Sequence, residues 1–140
     1  KGYCEILFRR KQEREMTKAD RLVLKTLEII EYFNPARWYI ENPYTGRLKE
    51  RPFMKDLNMY AVDYCKYSDW GYRKRTSIWT NRMDFVPRVC CKDCGYMVDN
   101  KHRNNLGNTK RRKATNGLSF TQSESYRIPE DLIFELFFEM

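Results

Sequence analysis

The stretch Trp38-Tyr39-Ile40-Glu41-Asn42-Pro43 constrains this chain more than any other. An aromatic, β-branched run reads as a short buried strand, and it stops at an acid, an amide and a proline. Pro43 cannot donate to a sheet ladder, and it pushes Asn42 out of the helical region. Glu41 is therefore expected at the carboxyl end of a sheet strand, the edge where open α/β sheets bind ligands. A surface carboxylate ahead of a turn is the plainer reading of the same residues.

The flanking sequence supplies the rest of a mixed fold. Thr17 and Asp20 form a capping-box-like start, with Asp in place of the usual Glu. Val23, Leu27 and Ile30 then recur at helical spacing up to Phe33, where Asn34-Pro35 stops the helix. Arg37 to Glu41 is the strand that follows, with a helical turn expected around Pro52 to Leu57. Tyr60 to Tyr64 and Thr76 to Thr80 read as two strands in an antiparallel pair. Ile128-Pro129-Glu130-Asp131 opens a last helix, with proline and acids where a helix start favours them. The fold class is α/β, as half of a sheet with an antiparallel edge pair. Residues 1–83 are expected to form the core and residues 84–127 an irregular basic insert. A C-terminal helix over 128–140 packs back on the core.

The formal net charge of +8 over 140 residues favours a polyanionic partner, nucleic acid before an acidic membrane surface. An aromatic content of 15% argues against disorder. No apolar run approaches spanning length and no signal architecture opens the chain, so an intracellular protein with no membrane partner is expected. A first residue that is Lys1 suggests a piece of something longer. The five cysteines are odd in number and crowded at Cys90, Cys91 and Cys94, which suits reduced thiols used for catalysis or metal binding.

Four motifs in order carry a family resemblance. Glu41-Asn42-Pro43, Tyr64 to Trp70, Arg73-Lys74-Arg75-Thr76-Ser77-Ile78-Trp79, and Ile128-Pro129 before a helix resemble the later motifs of cytosine-C5 DNA methyltransferases. The nearest likeness is the viral, phage and mobile-element branch, where the glutamate motif reads Glu-Asn-Pro. The resemblance covers about Lys18 to Glu139, and it implies the second half of a class I, Rossmann-like methyltransferase sheet. It also implies a mechanism. A cysteine thiolate adds to C6 of a flipped-out cytosine, the glutamate holds the N3 and N4 edge, and C5 takes a methyl group from S-adenosylmethionine. By motif position Glu41 and Asn42 fill the glutamate motif. Cys4 is the only cysteine upstream of Thr17 and so the candidate nucleophile, although Tyr3 stands where the family has proline. Arg73, Arg75 and Ser77 correspond to the family's Gln-x-Arg-x-Arg, with Arg75 the candidate base-site arginine. The family's glycine-containing donor motif has no counterpart here, since Gly2 is the only glycine before Glu41. S-adenosylmethionine would then be held mainly by a separate N-terminal methyltransferase half.

The insert falls where this family carries its target-recognition segment. Cys91, Cys94 and His102 offer three ligands for a zinc site, with Cys90 as a fourth, and a loop of reduced thiols is the alternative. Cys65 reads as a small buried hydrophobe. Lys110, Arg111, Arg112 and Lys113, together with Arg73 and Lys74, suit contacts to DNA phosphates. Two other classes stay open: a catalytically inactive nucleic-acid-binding remnant, and a small zinc-dependent interaction module.

Overall fold

The computed structural model describes residues 2–104 and 121–138, and for residues 2–17 and 122 it describes the backbone alone. The chain forms two compact units, Lys1–Trp38 and Tyr39–Met140. The first is a single helix, α1, over Gly2–Phe33. It begins well before the expected start at Thr17. Residues 5 to 16 are mostly Glu, Arg, Lys, Gln, Leu and Met, with no proline or glycine, so their propensity carries the helix through the capping signal. Val23, Leu27 and Ile30 are its half-buried stripe, as their spacing predicts. The helix ends at Asn34, whose φ of 40° is left-handed and whose N–H donates to Ile30 O at 2.9 Å. Cys4 lies in the first turn of α1, not in a turn ahead of it, and its side chain is outside the described residues.

The second unit is built on three strands. They are β1 (Tyr39–Pro43), β2 (Met59–Asp63) and β3 (Arg75–Thr80), in the order β1-β3-β2 and antiparallel throughout. The expected β2–β3 pair is therefore present, within one residue of its predicted bounds. A 3-10 turn at Pro52–Met54 fills the place of the helical turn expected there. Among the described residues no strands pair in parallel, so the observed class is mixed helix and antiparallel sheet.

Side chains alternate across a strand, and the register sets Glu41 opposite Ile78 and Ile78 opposite Tyr60. That face carries the core. Val62, Ile78, Tyr64, Tyr67 and Phe85 cluster with Leu132 and Leu136 of helix α3 (Glu130–Phe137). Tyr39 donates its hydroxyl to Leu136 O and meets Phe137 edge-on at 4.7 Å. Arg82 donates to Glu135 O at 2.7 Å, so the end of β3 also holds the end of α3.

The chain from residue 84 onward packs on the strands. Phe85 and Cys90 are buried, Arg88 N–H donates to the Tyr67 hydroxyl at 2.8 Å, and Asp63 N–H donates to Arg88 O at 3.1 Å. Beyond them a hairpin of β4 (Met97–Val98) and β5 (Lys101–His102) turns at Asp99 and Asn100, with φ of 48° and 63°. Two left-handed residues in sequence are the geometry of a tight two-residue hairpin. A short helix, α2 (Gln122–Ser125), opens on a capping box between Thr121 and Glu124. Lys110, Arg111, Arg112 and Lys113 lie outside the described residues. No helix among the described residues is long and apolar enough to cross a membrane.

Leu132 is fully buried and Phe138 is exposed, which sets one prediction. Leu132→Ala should cost about 3 kcal/mol in urea unfolding, and Phe138→Ser less than about 0.5 kcal/mol.

Candidate functional site

The strand expected over Arg37 to Glu41 is displaced: β1 begins at Tyr39 and runs on through Asn42 and Pro43, so Glu41 sits at its middle, on the core-facing side of the sheet. Its side chain is 26% exposed. Thr76 Oγ1 donates to Glu41 Oε1 and lies 3.0 Å from Asn42 O. Tyr64 OH donates to the same Oε1 at 3.3 Å, and Lys74 Nζ stands 3.8 Å from it. Among the described residues nothing bonds to Oε2. Burial, and then the Glu41 carboxylate, push the Tyr64 phenol up, so it remains a donor at neutral pH. One carboxylate oxygen is thus fixed from two sides and the other is left to accept or share a proton.

The strand closes in a tight turn. Gly46 N–H donates to Pro43 O at 2.7 Å, and a Cβ on Gly46 would stand 2.4 Å from Asn42 Oδ1. Asn42 therefore packs on a position that only glycine fills.

Arg75 does not join Glu41. Strand alternation sends its side chain to the opposite face, where Nη2 and Nε meet Asp63 Oδ2 and Oδ1 at 2.7 and 3.0 Å. Arg73 Nε donates to Asp63 Oδ1 at 3.0 Å. The cation beside Glu41 is Lys74, which also donates to Ser125 O at 3.1 Å and lies over the Tyr64 ring. Arg73 and Lys74, expected to contact phosphate, are thus both engaged inside the protein. Asp63 has no exposed side-chain surface and takes a further bond from Cys90 N–H at 2.8 Å. Burial raises its carboxyl, but Arg75, the Cys90 N–H and Arg73 outweigh burial and hold it below the usual carboxylate range. No local signal in the sequence marks Asp63 as the partner of these arginines, because the pairing runs between strands.

A second constellation assembles just beyond the carboxyl end of β2. The ligand atoms of Cys65, Cys90, Cys94 and His102 all lie within 4.8 Å of one another. Of the three ligands expected from sequence, Cys94 and His102 are present, while Cys91 is exposed and outside the group. Cys65 takes its place, contributed by the 3-10 turn Tyr64–Lys66 that follows β2. His102 Nε2 is 3.5 Å from Cys90 Sγ and 3.3 Å from Cys94 Sγ. Burial and then the Arg73 charge lower the pKa of His102, which keeps the imidazole neutral at pH 7. Burial pushes the Cys65 thiol up. Burial also raises Cys90, but the Lys92 N–H and the neighbouring thiols more than offset it.

A cavity of about 940 Å³ opens against this group, lined by Cys65, Cys94, Trp70, Arg127 and Asp131 among others. Glu41 is not among its lining residues. Arg127 lies over the Trp70 ring at 4.5 Å.

Compared with known proteins, the chain is 40% identical over 126 residues to a protein of Frog virus 3 (isolate Goorha) named "Probable DNA (cytosine-5)-methyltransferase". The match covers 86% of this chain and 57% of that protein, so the chain spans somewhat over half its relative's length. No protein-family profile matches, and no solved structure does. The likeness to cytosine-C5 DNA methyltransferases read from the motifs is thereby borne out for most of the chain.

The Asp63 network sets the next prediction. Asp63→Asn should cost about 2–3 kcal/mol, below the usual figure for a fully buried pair because both arginines are partly exposed. The wild-type carboxyl is depressed in the folded state, so its contribution is present above the unfolded value near pH ~4 and is lost as pH falls through the lower folded value. Urea unfolding from pH 7 down to pH 2 should show that loss in wild type and not in the variant.

Proposed function

We propose that this chain is the base-binding part of a DNA cytosine-C5 methyltransferase, with Glu41 as the carboxylate that meets the flipped cytosine. The observation that carries the reading is the arrangement at Glu41, with Oε1 held by Thr76 and Tyr64 and Oε2 open, in the strand that carries the Glu-Asn-Pro motif. The similarity to the viral protein supports the substrate and the methyl donor.

On this reading the fixed oxygen orients the carboxyl group while the open one faces the N3 and N4 edge of cytosine. When a thiolate adds to C6, negative charge builds across N3 and O2 of the ring. A carboxyl that shares its proton with N3 stabilises that charge. Lys74 Nζ, at 3.8 Å, sets a positive charge beside the carboxylate, and the Tyr64 phenol stays a donor to it. Cys4 is the proposed source of the thiolate. Addition forms the Sγ–C6 bond, and elimination breaks it again once the C5 proton has gone to a base.

The donor supplies an activated methyl group to C5. The described residues contain no strand, glycine turn and helix in succession to bind it, so S-adenosylmethionine is assigned to a preceding, N-terminal methyltransferase half. Among the described residues β1 pairs on one side only, with β3, which leaves an edge for the parallel strands of a class I sheet. β2 and β3 would be its antiparallel end. DNA is the partner on this reading, with Lys110 to Lys113 on its phosphates, and the protein works inside the cell.

The test is covalent trapping on an oligonucleotide containing 5-fluorocytosine, with S-adenosylmethionine and the donor-binding half supplied. Adducts should form with the wild type and disappear with Cys4→Ala. Glu41→Gln should slow trapping by roughly 10²–10⁴-fold. Adducts that survive Cys4→Ala would move the nucleophile elsewhere, and their absence in the intact pair would overturn the enzyme.

A further inference from the structure

We propose that Cys65, Cys90, Cys94 and His102 form a closed, structural zinc(II) centre that ties the insert to the end of β2. The inference goes beyond methyl transfer and does not depend on it.

The spacing of the four ligand atoms fits tetrahedral coordination. With Zn–S near 2.3 Å and Zn–N near 2.0–2.1 Å, tetrahedral ligands place sulfur and nitrogen about 3.6 Å apart. The two Sγ to Nε2 distances are 3.5 and 3.3 Å. All four ligand atoms fall within 4.8 Å, and the same nitrogen faces both sulfurs. Ordinary packing of reduced thiols sets no such convergence on one imidazole nitrogen.

The chain is shaped to make it. Cys90 and Cys94 are separated by three residues, within the spacing of zinc loops. Between them Lys92 takes a left-handed φ of 69°, and its N–H donates to Cys90 Sγ at 3.3 Å. Gly95, with φ of 76°, turns the chain out of the loop. The β4–β5 hairpin then brings His102 back across the cysteines. Such N–H to sulfur contacts stabilise a thiolate and fix its direction.

Three thiolates and an imidazole select a borderline-soft ion over magnesium or calcium. On binding, three thiol protons leave to solvent, and the centre carries a net charge of −1. Lys66 ties the loop back to the turn after β2, with Nζ 2.9 Å from Asp93 Oδ2. Four protein ligands leave no open position, which makes the site structural. Its outer partner is Asp63, which accepts from Cys90 N–H at 2.8 Å while holding Arg75 and Arg73. Metal loss would therefore be felt at the arginine network on the sheet.

The experiment is metal analysis and cobalt(II) substitution on the full chain, purified reduced. One zinc per chain is expected. The cobalt form should show the intense ligand-field bands of tetrahedral coordination, with thiolate charge transfer. Cys91→Ala should keep full metal content and the same spectrum. Cys65→Ser should weaken cobalt binding by more than the roughly 100-fold that loss of an outer-shell partner costs. If Cys65→Ser fails to fold, the wild-type and Cys91→Ala spectra still decide. An octahedral cobalt spectrum, metal lost with Cys91→Ala, or no stoichiometric zinc in the reduced chain overturns the proposal.

Discussion

A single carboxylate with no access to solvent, that of Asp63, joins the parts of the second unit. Two arginines from the approach to β3 and its first residue converge on it, and so does the backbone N–H of Cys90 from the insert. Burying a carboxylate is costly unless its lone pairs are filled, and here they are. The strand end, the central strand and the cysteine loop are consequently fixed to one another by charge-assisted bonds, at a point the hydrophobic core does not reach. Removing the carboxylate leaves two guanidinium groups and a buried N–H to find other partners.

The sheet's alternation decides which basic residue serves which acid. Arg73 and Arg75 turn toward Asp63, and Lys74 between them turns toward Glu41. A motif with alternating basic residues thus feeds two sites on opposite faces. The arginines act on scaffold geometry, and the lysine, with Thr76 and Tyr64, acts on the open carboxylate. The large cavity beside Trp70 belongs to the first of these neighbourhoods, the one with the cysteines.

Much of this was legible from residues alone. Pro43 did not stop β1, but a strand carrying Glu41 and the β2–β3 pair both followed from β-branched and aromatic runs. Both are consequences of local chemistry. The start of α1 was not legible, because a capping signal at Thr17 competes with strong helix formers before it. Cys-x-x-Cys spacing is local and points to Cys91, whereas Cys65 reaches the cluster only through contacts between the end of β2 and the insert. Arg75 beside Glu41 failed for a similar reason: the register of β1 on β3, not the order of the motif, sets the face. Long-range pairings leave no periodicity for a sequence reading to detect.

The cysteine group also has an uneven reach along the chain. His102 is 8 positions from Cys94 and 12 from Cys90, so three ligands can meet by closing short loops. Cys65 comes from the turn after β2, much further back along the chain. An unfolded chain could already chelate an ion through the three near ligands, and binding to the denatured ensemble subtracts from native-state stabilisation. What an ion contributes to holding this fold together is then set by the one thiolate that only the assembled sheet delivers.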